Sequence, residues 1–329
     1  MYGARDAAQN WQEEFSSMLE SIGFKAGRSS PCIFYHENKD IRTFVHGDDY
    51  VSAGSSEDLD WLRKRLEEKY AIKTEVLGDG KGETREIRVL NRIIRWETDG
   101  ISYEPDPRHA EIIAKEMGVD GTKGVVSPSI KESIDDEETP AKGTPDGGSP
   151  YEGVELQGAE ATKYRAIIAR GNFLSIDRPD IQYAVKEASR CMAKPTTKDW
   201  AKLERLAKYL VHRPRAVTKY PWQDRPKEII TYTDSDWAGC RKTRKSTSGG
   251  ALTYNGCIIK TWSRTQNNMA LSSAEAELYA EVKAASETLG LVSMWRSVCV
   301  SRWRLGGRLE SPFPNGRLGL FLYLLGNAV

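Results

Sequence analysis

Two groups of carboxylates stand where the chain otherwise reads as extended and apolar. In FVHGDDYVSAG (residues 44–54), Asp48 and Asp49 are adjacent between runs of strand-forming residues. Neighbouring carboxylates repel, so either the pair sits on a turn and faces water or a cation neutralises it. In IITYTDSDWAG, an apolar run ends in Asp234 and Asp236. Residues i and i+2 of a strand share a face, unless the second already lies beyond the strand end. Further on, LSSAEAELYAEVKAA carries Glu275 and Glu277. Ser272 and Glu275 have capping-box spacing, which gives Glu275 a local task at a helix start. Glu277 has no such task. It lies beside Leu278, Val282, Ala285 and Leu289, the stripe expected to face a sheet. A helix packed on that sheet would bring Glu277 to the end of the Asp234 strand. Carboxylates converging from a strand and a helix form the oxygen-only environment that Mg²⁺ or Mn²⁺ prefers. The competing reading is ordinary solvated acids, in a chain with 47 Asp and Glu residues to place.

A third feature lies between these acids. RKTRKSTSGG (residues 241–250) puts Arg241, Lys242, Arg244, Lys245 and Ser246 into one glycine-ended turn. It is either a solvated loop or a surface that contacts nucleic-acid phosphates.

The elements that must position these residues follow from periodicity. WQEEFSSMLESIGF is an amphipathic helix with Phe15, Met18, Leu19 and Ile22 on one side. A hairpin follows, with strands at 32–36 and 41–46. The next helix, SSEDLDWLRKRLEEKY, is capped by Ser55 with Asp58 and striped by Leu59, Leu62, Leu66 and Tyr70. Strand patterns at 71–76, 86–96 and 101–103 and a helix at 107–117 complete an α+β domain over 1–127. Residues 128–160 are an acidic Pro/Gly/Ser-rich linker. Residues 161–222 hold three helices, and 223–298 hold three strands in a meander followed by a long helix beginning near Ser272.

Composition narrows the class. A net charge of +1 supplies no global basic field, so any nucleic-acid contact must use local patches. The five cysteines contain no C-x-x-C pair, against a zinc site or disulfide framework and in keeping with a reducing compartment. The N-terminal stretch lacks a signal-peptide core. The apolar run LGLFLYLLGNAV is too short and glycine-broken for a bilayer span, which needs roughly 20 apolar residues. An intracellular protein without membrane contact is expected.

The stretch TYTDSDWAGCRKTRKSTSGGALTYNGCIIKTWSRTQNNMALSSAEAELYA resembles the ribonuclease H domain of copia-type retrotransposon Pol polyproteins. It carries D-x-D-W-A-G, R-K-S-T-S-G, W-S-x-x-Q and L-S-S-x-E-A-E-x-x-A in order. MYGARDAAQNW, SIGFKAGRSSPCIFY, FVHGDDYVSAG and KYRAIIARGNFLSIDRPDIQYAVKEASRCMAKPT extend the likeness over about residues 1–296. The resemblance implies part of a reverse-transcriptase palm (a helix-flanked antiparallel sheet), connecting helices, and a ribonuclease-H-like mixed sheet with helices, together α+β to α/β. It implies two-metal hydrolysis of RNA in RNA–DNA hybrids, with Mg²⁺ or Mn²⁺ held by Asp234 and Glu277. Asp48 and Asp49 correspond to the paired aspartates of the polymerase. The implied partners are an RNA–DNA hybrid and the rest of the polyprotein, in a cytoplasmic particle or the nucleus.

Four departures bear on activity. The family's third polymerase aspartate lies upstream of the matching segment, and His46-Gly47 stands where the family has Tyr-Val. The family's later ribonuclease H aspartates have no counterpart, since Asp236 is the last aspartate of the chain. Residues 299–329 resemble nothing in the family and read as an aberrant tail, from a shifted frame or a misjoined exon. An incomplete ribonuclease H domain is therefore expected, and a non-catalytic remnant that at most binds nucleic acid is the alternative.

Overall fold

Phe15, Met18 and Leu19 recur on one side of α1 (Ala7–Ser21), and that side is buried. The computed structural model describes residues 6–129, 153–223, 228–298 and 318–325. It is a mixed α/β structure with antiparallel sheets and two compact units. One comprises Met1–Ser102, Lys219–Ile229 and Ala285–Val329; the other comprises Tyr103–Thr218 and Ile230–Ala284.

In the first unit, β1 (Lys25–Ala26), β2 (Ile33–His36), β3 (Ile41–His46) and β4 (Asp49–Ser55) follow α1 as an antiparallel series. The helix α2 (Ser56–Glu67) starts where Ser55 Oγ accepts the Asp58 N–H, and it buries Leu59, Leu62 and Leu66. These leucines share one core with the inner residues of α1 and with Phe34, Ile41, Val45 and Tyr50. Next comes β5 (Ile72–Leu77). Between β4 and β5 runs β13 (Leu318–Leu325), antiparallel to both, so the sheet order is β1-β2-β3-β4-β13-β5. Part of the segment read from sequence as an aberrant tail thus supplies a central strand. Its remainder, 299–317 and 326–329, lies outside the described residues, as does 130–152 of the linker.

The single strand expected over 86–96 is two. β6 (Glu86–Val89) and β7 (Arg92–Glu97) form an antiparallel hairpin. Its two turn residues, Leu90 and Asn91, have φ of 45° and 63°. Positive φ at both central positions is the type I′ pattern, which matches strand twist. Leucine carries no sequence signal for that conformation, which is why the pattern reads as continuous. β8 (Gly100–Glu104) and β9 (Thr218–Pro221) complete a four-stranded sheet in the order β6-β7-β8-β9.

The second unit packs α3 (Arg108–Glu116), α4 (Gly158–Ser175), α5 (Gln182–Ser189) and α6 (Thr197–His212) around Ile113, Tyr164, Ile167, Ile168, Leu203 and Leu206. A capping box between Thr196 and Asp199 sets the start of α6. Arg178, 1 % exposed, is buried with its charge paired to Asp180, and it donates to the Arg213 carbonyl. A buried guanidinium needs both kinds of partner. The same unit holds the expected meander: β10 (Ile229–Asp236, its first residue at the boundary), β11 (Thr247–Tyr254) and β12 (Cys257–Thr265), side by side in that order. Then α7 (Ser273–Val298) begins. The helical segment and the meander, separate in the sequence reading, therefore fold as one unit.

The stripe expected to hold α7 to the sheet does not do so. Leu278, Val282 and Leu289 are 56 %, 61 % and 67 % exposed, whereas Ala276, Ala280 and Ala284 are buried. Alanine spaced by four gives a narrow side that lets a helix approach its neighbours closely. The larger apolar residues dominate the sequence pattern but occupy a different side.

Within β11, Gly250 lies opposite Trp262 of β12, and a Cβ at Gly250 would overlap the indole ring. Trp262 is 5 % exposed and cannot swing into solvent without losing that burial. Gly250→Ala is expected to destabilise the protein by about 1–3 kcal/mol through overpacking. A urea titration of the variant beside Gly256→Ala, where a Cβ meets nothing within 4 Å but φ is +81°, separates ring overlap from backbone strain.

Candidate metal centre

The alternation of β10 sets out its acids. Ile230, Tyr232 and Asp234 are exposed, and Thr233 and Ser235 between them are half-buried. Ser235 meets α7: Glu277 Oε1 accepts its N–H at 3.2 Å and its hydroxyl at 2.8 Å. Glu277 is therefore held at Ser235, the residue that follows Asp234, on a helix seated by alanines rather than by the leucine stripe. The side chains of consecutive strand residues point to opposite faces. The Asp234 carboxylate makes no hydrogen bond or ion pair among the described residues, and neither does Glu277 Oε2.

The other two acids are committed to the backbone. Asp236 accepts the Thr247 N–H through Oδ1. Gly239 has no Cβ where one would overlap the Asp236 carboxylate. Glu275 does the capping work expected of it. Ser272 Oγ accepts its N–H at 3.1 Å, and its carboxylate accepts from the Leu271 N–H at 2.7 Å and from the Tyr279 hydroxyl at 2.9 Å.

The basic turn between β10 and β11 is built from within. Ser246 is fully buried, and its Oγ accepts the Ala238 N–H at 2.9 Å. Its role in the structure is to close the turn, not to face solvent as a phosphate contact would require. Lys245 Nζ donates to the Asn267 carbonyl at 2.6 Å. Arg241, Lys242 and Arg244 are exposed. Two cations that the sequence reading did not connect to this turn come from α5 and the residue after it. Lys186 Nζ donates to Thr247 Oγ1 at 2.8 Å, and Arg190 Nη2 donates to Cys240 Sγ at 3.0 Å. Burial alone would raise the Cys240 thiol, but hydrogen bonds from Thr243 and Arg190 outweigh it and hold the pKa below the usual thiol value. No sequence signal could have joined residues so far apart in the chain.

In the first unit, Asp48 and Asp49 occupy a β3–β4 hairpin in which His46 pairs with Asp49 across the two-residue turn Gly47-Asp48. Gly47 has φ +62° and Asp48 does not have a positive φ, the arrangement of a II′ turn, which favours glycine at its first central position. Trp11 Nε1 braces the turn by donating to the Gly47 carbonyl at 2.6 Å. Asp48 is exposed and Asp49 half-buried. The Asp49 carboxyl lies above its ordinary value, first because of burial and then because of the Asp48 charge, with His46 pulling the other way.

Among the described residues no group of three or more His, Cys, Asp and Glu side chains is placed to hold a metal ion. Mg²⁺ commonly keeps several waters and takes only one or two carboxylates from the protein. Asp234 and the unpartnered Oε2 of Glu277 fit that donor set by type and number. No helix among the described residues is long and apolar enough to cross a membrane.

Comparison with known proteins places relatives along most of the chain. It is 25% identical over 328 residues to the retrovirus-related Pol polyprotein from transposon RE1 of Arabidopsis thaliana, covering 95% of this chain and 19% of the relative. To the corresponding polyprotein from transposon TNT 1-94 of Nicotiana tabacum it is 24% identical over 298 residues, covering 88% of the chain and 21% of the relative. It is 34% identical over 144 residues to the uncharacterized mitochondrial protein AtMg00810 of Arabidopsis thaliana, covering 44% of this chain and 57% of that protein. The chain thus spans little more than half of the mitochondrial relative and about a fifth of each of these polyproteins. No protein-family model matches it, and no solved structure matches it.

Two measurements probe these geometries. Ser235→Ala removes the hydroxyl that donates to Glu277 and is expected to cost about 1 kcal/mol in urea denaturation, with Ser235→Thr retaining most of the stability. The folded protein holds the Asp49 proton more tightly than the unfolded chain does. Stability therefore falls as pH rises from the ordinary value of 3.8 through the raised one. Asp48→Asn removes one cause of the shift, so the urea midpoint of that variant should fall less over this range than that of the wild type. NMR titration should place its Asp49 pKa below the wild-type value.

Proposed function

Because the chain belongs to the retrovirus-related Pol polyproteins of copia-type transposons, we propose that its second unit is ribonuclease-H-like and hydrolyses the RNA strand of RNA–DNA hybrids. Asp234 and Glu277 are the proposed ligands of Mg²⁺ or Mn²⁺. The observation that supports this reading is the pair of hydrogen bonds from Ser235 to Glu277 Oε1, which hold a helix carboxylate against the residue next to Asp234 in β10. One oxygen of Glu277 is used to hold the side chain still, and the other is left to a cation. Asp234, whose side chain has no partner among the described residues, keeps both oxygens available.

A bound divalent ion would supply a polarised water and positive charge near the departing oxygen. The chain's own part is to present two oriented acceptors and to hold the hybrid. Arg241, Lys242 and Arg244, exposed on the turn that leaves β10, suit contact with phosphates, which positions a duplex without reading its bases. In the same reading, the first unit is part of a reverse-transcriptase palm. Its hairpin carries Asp48 and Asp49 as one portion of a polymerase site, and the remainder of the polyprotein is the natural partner.

A second reading has its own support. Asp236 and Glu275 are committed to backbone N–H groups, so the site offers two carboxylates with free oxygens. A unit in that state would bind the hybrid without cutting it.

A labelled RNA–DNA hybrid incubated with the chain and Mg²⁺ or Mn²⁺ separates the two. Hydrolysis predicts metal-dependent cleavage that Asp234→Asn lowers by more than about 100-fold, the upper end of what changes around a metal ligand cost. Hybrid retention in a gel-shift assay with no cleavage, equal in wild type and Asp234→Asn, would sink the hydrolytic reading in favour of the binding one.

A further inference from the structure

We infer that Gln266 is the positioning residue for Glu277, acting through the first turn of α7. The inference rests on the reading of Glu277 as a metal ligand.

Gln266 follows the last residue of β12 and is 7 % exposed. Its side-chain Nε2 donates to Ser248 Oγ on β11 at 3.0 Å and to the Ala276 carbonyl on α7 at 2.8 Å. Its backbone N–H donates to the carbonyl of Ser246, the residue whose hydroxyl closes the basic turn. One residue thus ties together β11, the turn after β10 and the start of α7. The orientation of the amide is fixed by chemistry, because the Ala276 carbonyl can only accept and must face the NH₂ group.

The amide also leaves a defect. Gln266 Oε1 is buried with no hydrogen-bond partner among the described residues. An apolar side chain of similar shape would bury no such orphan. What the amide supplies in exchange is the grip of Nε2 on the helix. Ala276 immediately precedes Glu277, so any shift of the Ala276 carbonyl moves the Glu277 side chain by a similar amount. Ser235 holds Glu277 by its tip, at distances that tolerate little displacement. Gln266 fixes the base of the same lever. A glutamine acting only as core filling would have no need to reach the carbonyl next to a candidate ligand.

The Ser235 N–H reports the result directly, since its acceptor is Glu277 Oε1. In Gln266→Met, residue-resolved hydrogen exchange should show the Ser235 amide exchanging about tenfold faster, as it should in Glu277→Ala, while amides of β11 keep their rates. An unchanged Ser235 rate, or equal acceleration at Ser235 and along β11, would overturn the inference. Gln266→Glu supplies a second route should the methionine variant fail to fold. The carboxyl introduced by that substitution can donate to the Ala276 carbonyl when protonated and cannot when ionised. Ser235 protection in that variant should therefore fall below wild type as pH rises, and parity with wild type at every pH would equally overturn it. Neither readout requires catalysis. Absence of hybrid cleavage by the wild type would remove the hydrolytic reading and leave the Ser235 exchange to decide the role of Gln266.

Discussion

The hold of Ser235 on Glu277 depends on how near α7 can come to the strand end, and alanine makes that approach possible. Among the described residues of the helix, Ala276, Ala280 and Ala284 are the buried ones. With only a Cβ to accommodate, the helix backbone comes within reach of Gln266, whose amide bonds the Ala276 carbonyl. A longer side chain at position 276 would lift the helix and open both contacts. The candidate metal centre, the closure of the basic turn and the start of α7 are thus parts of one short-range network.

The same network explains how the acids divide their work. Backbone N–H groups at a turn and at a helix start need acceptors, and Asp236 and Glu275 supply them. Those two carboxylates are consumed by the fold. Glu277 is half consumed, and Asp234 stands free of protein partners among the described residues. The hairpin of the first unit shows the opposite economy. The Asp49 carboxyl is raised by the combined pressure of burial and of the Asp48 charge, against the weaker pull of His46. Carboxylates in such a position are suited to an external cation or to carrying a proton.

Much of the architecture was legible in advance, for identifiable reasons. The helices α1, α2 and α6 carry bulky apolar residues at helical spacing, and α2 adds the Ser55 cap. The β3–β4 hairpin carries a glycine where the turn needs a positive φ. The misreadings occur where the signal is weak or points elsewhere. Leu90 at positive φ conceals a hairpin inside a strand-like run. The alanine side of α7 is outshouted by Leu278, Val282 and Leu289, which are exposed. The strand at Leu318–Leu325 is paired on both sides by segments from the other end of the chain, and no local pattern could have named those partners.

Sequence alone therefore determined the kinship with copia-type Pol polyproteins, the order of the principal elements and the identity of the carboxylates worth testing, because motifs and periodicities are local in the chain. Tertiary structure alone decided which of those carboxylates remain available. Glu275 is marked in one dimension by its capping-box spacing from Ser272, whereas the task of Asp236 is not. Asp236 is consumed only when Thr247 presents its N–H to it, and Glu277 is half consumed only when Ser235 presents its hydroxyl and N–H to one oxygen. Hydrogen-bond satisfaction is a property of the packed molecule, and it is what separates an acid that builds the fold from one left free for chemistry.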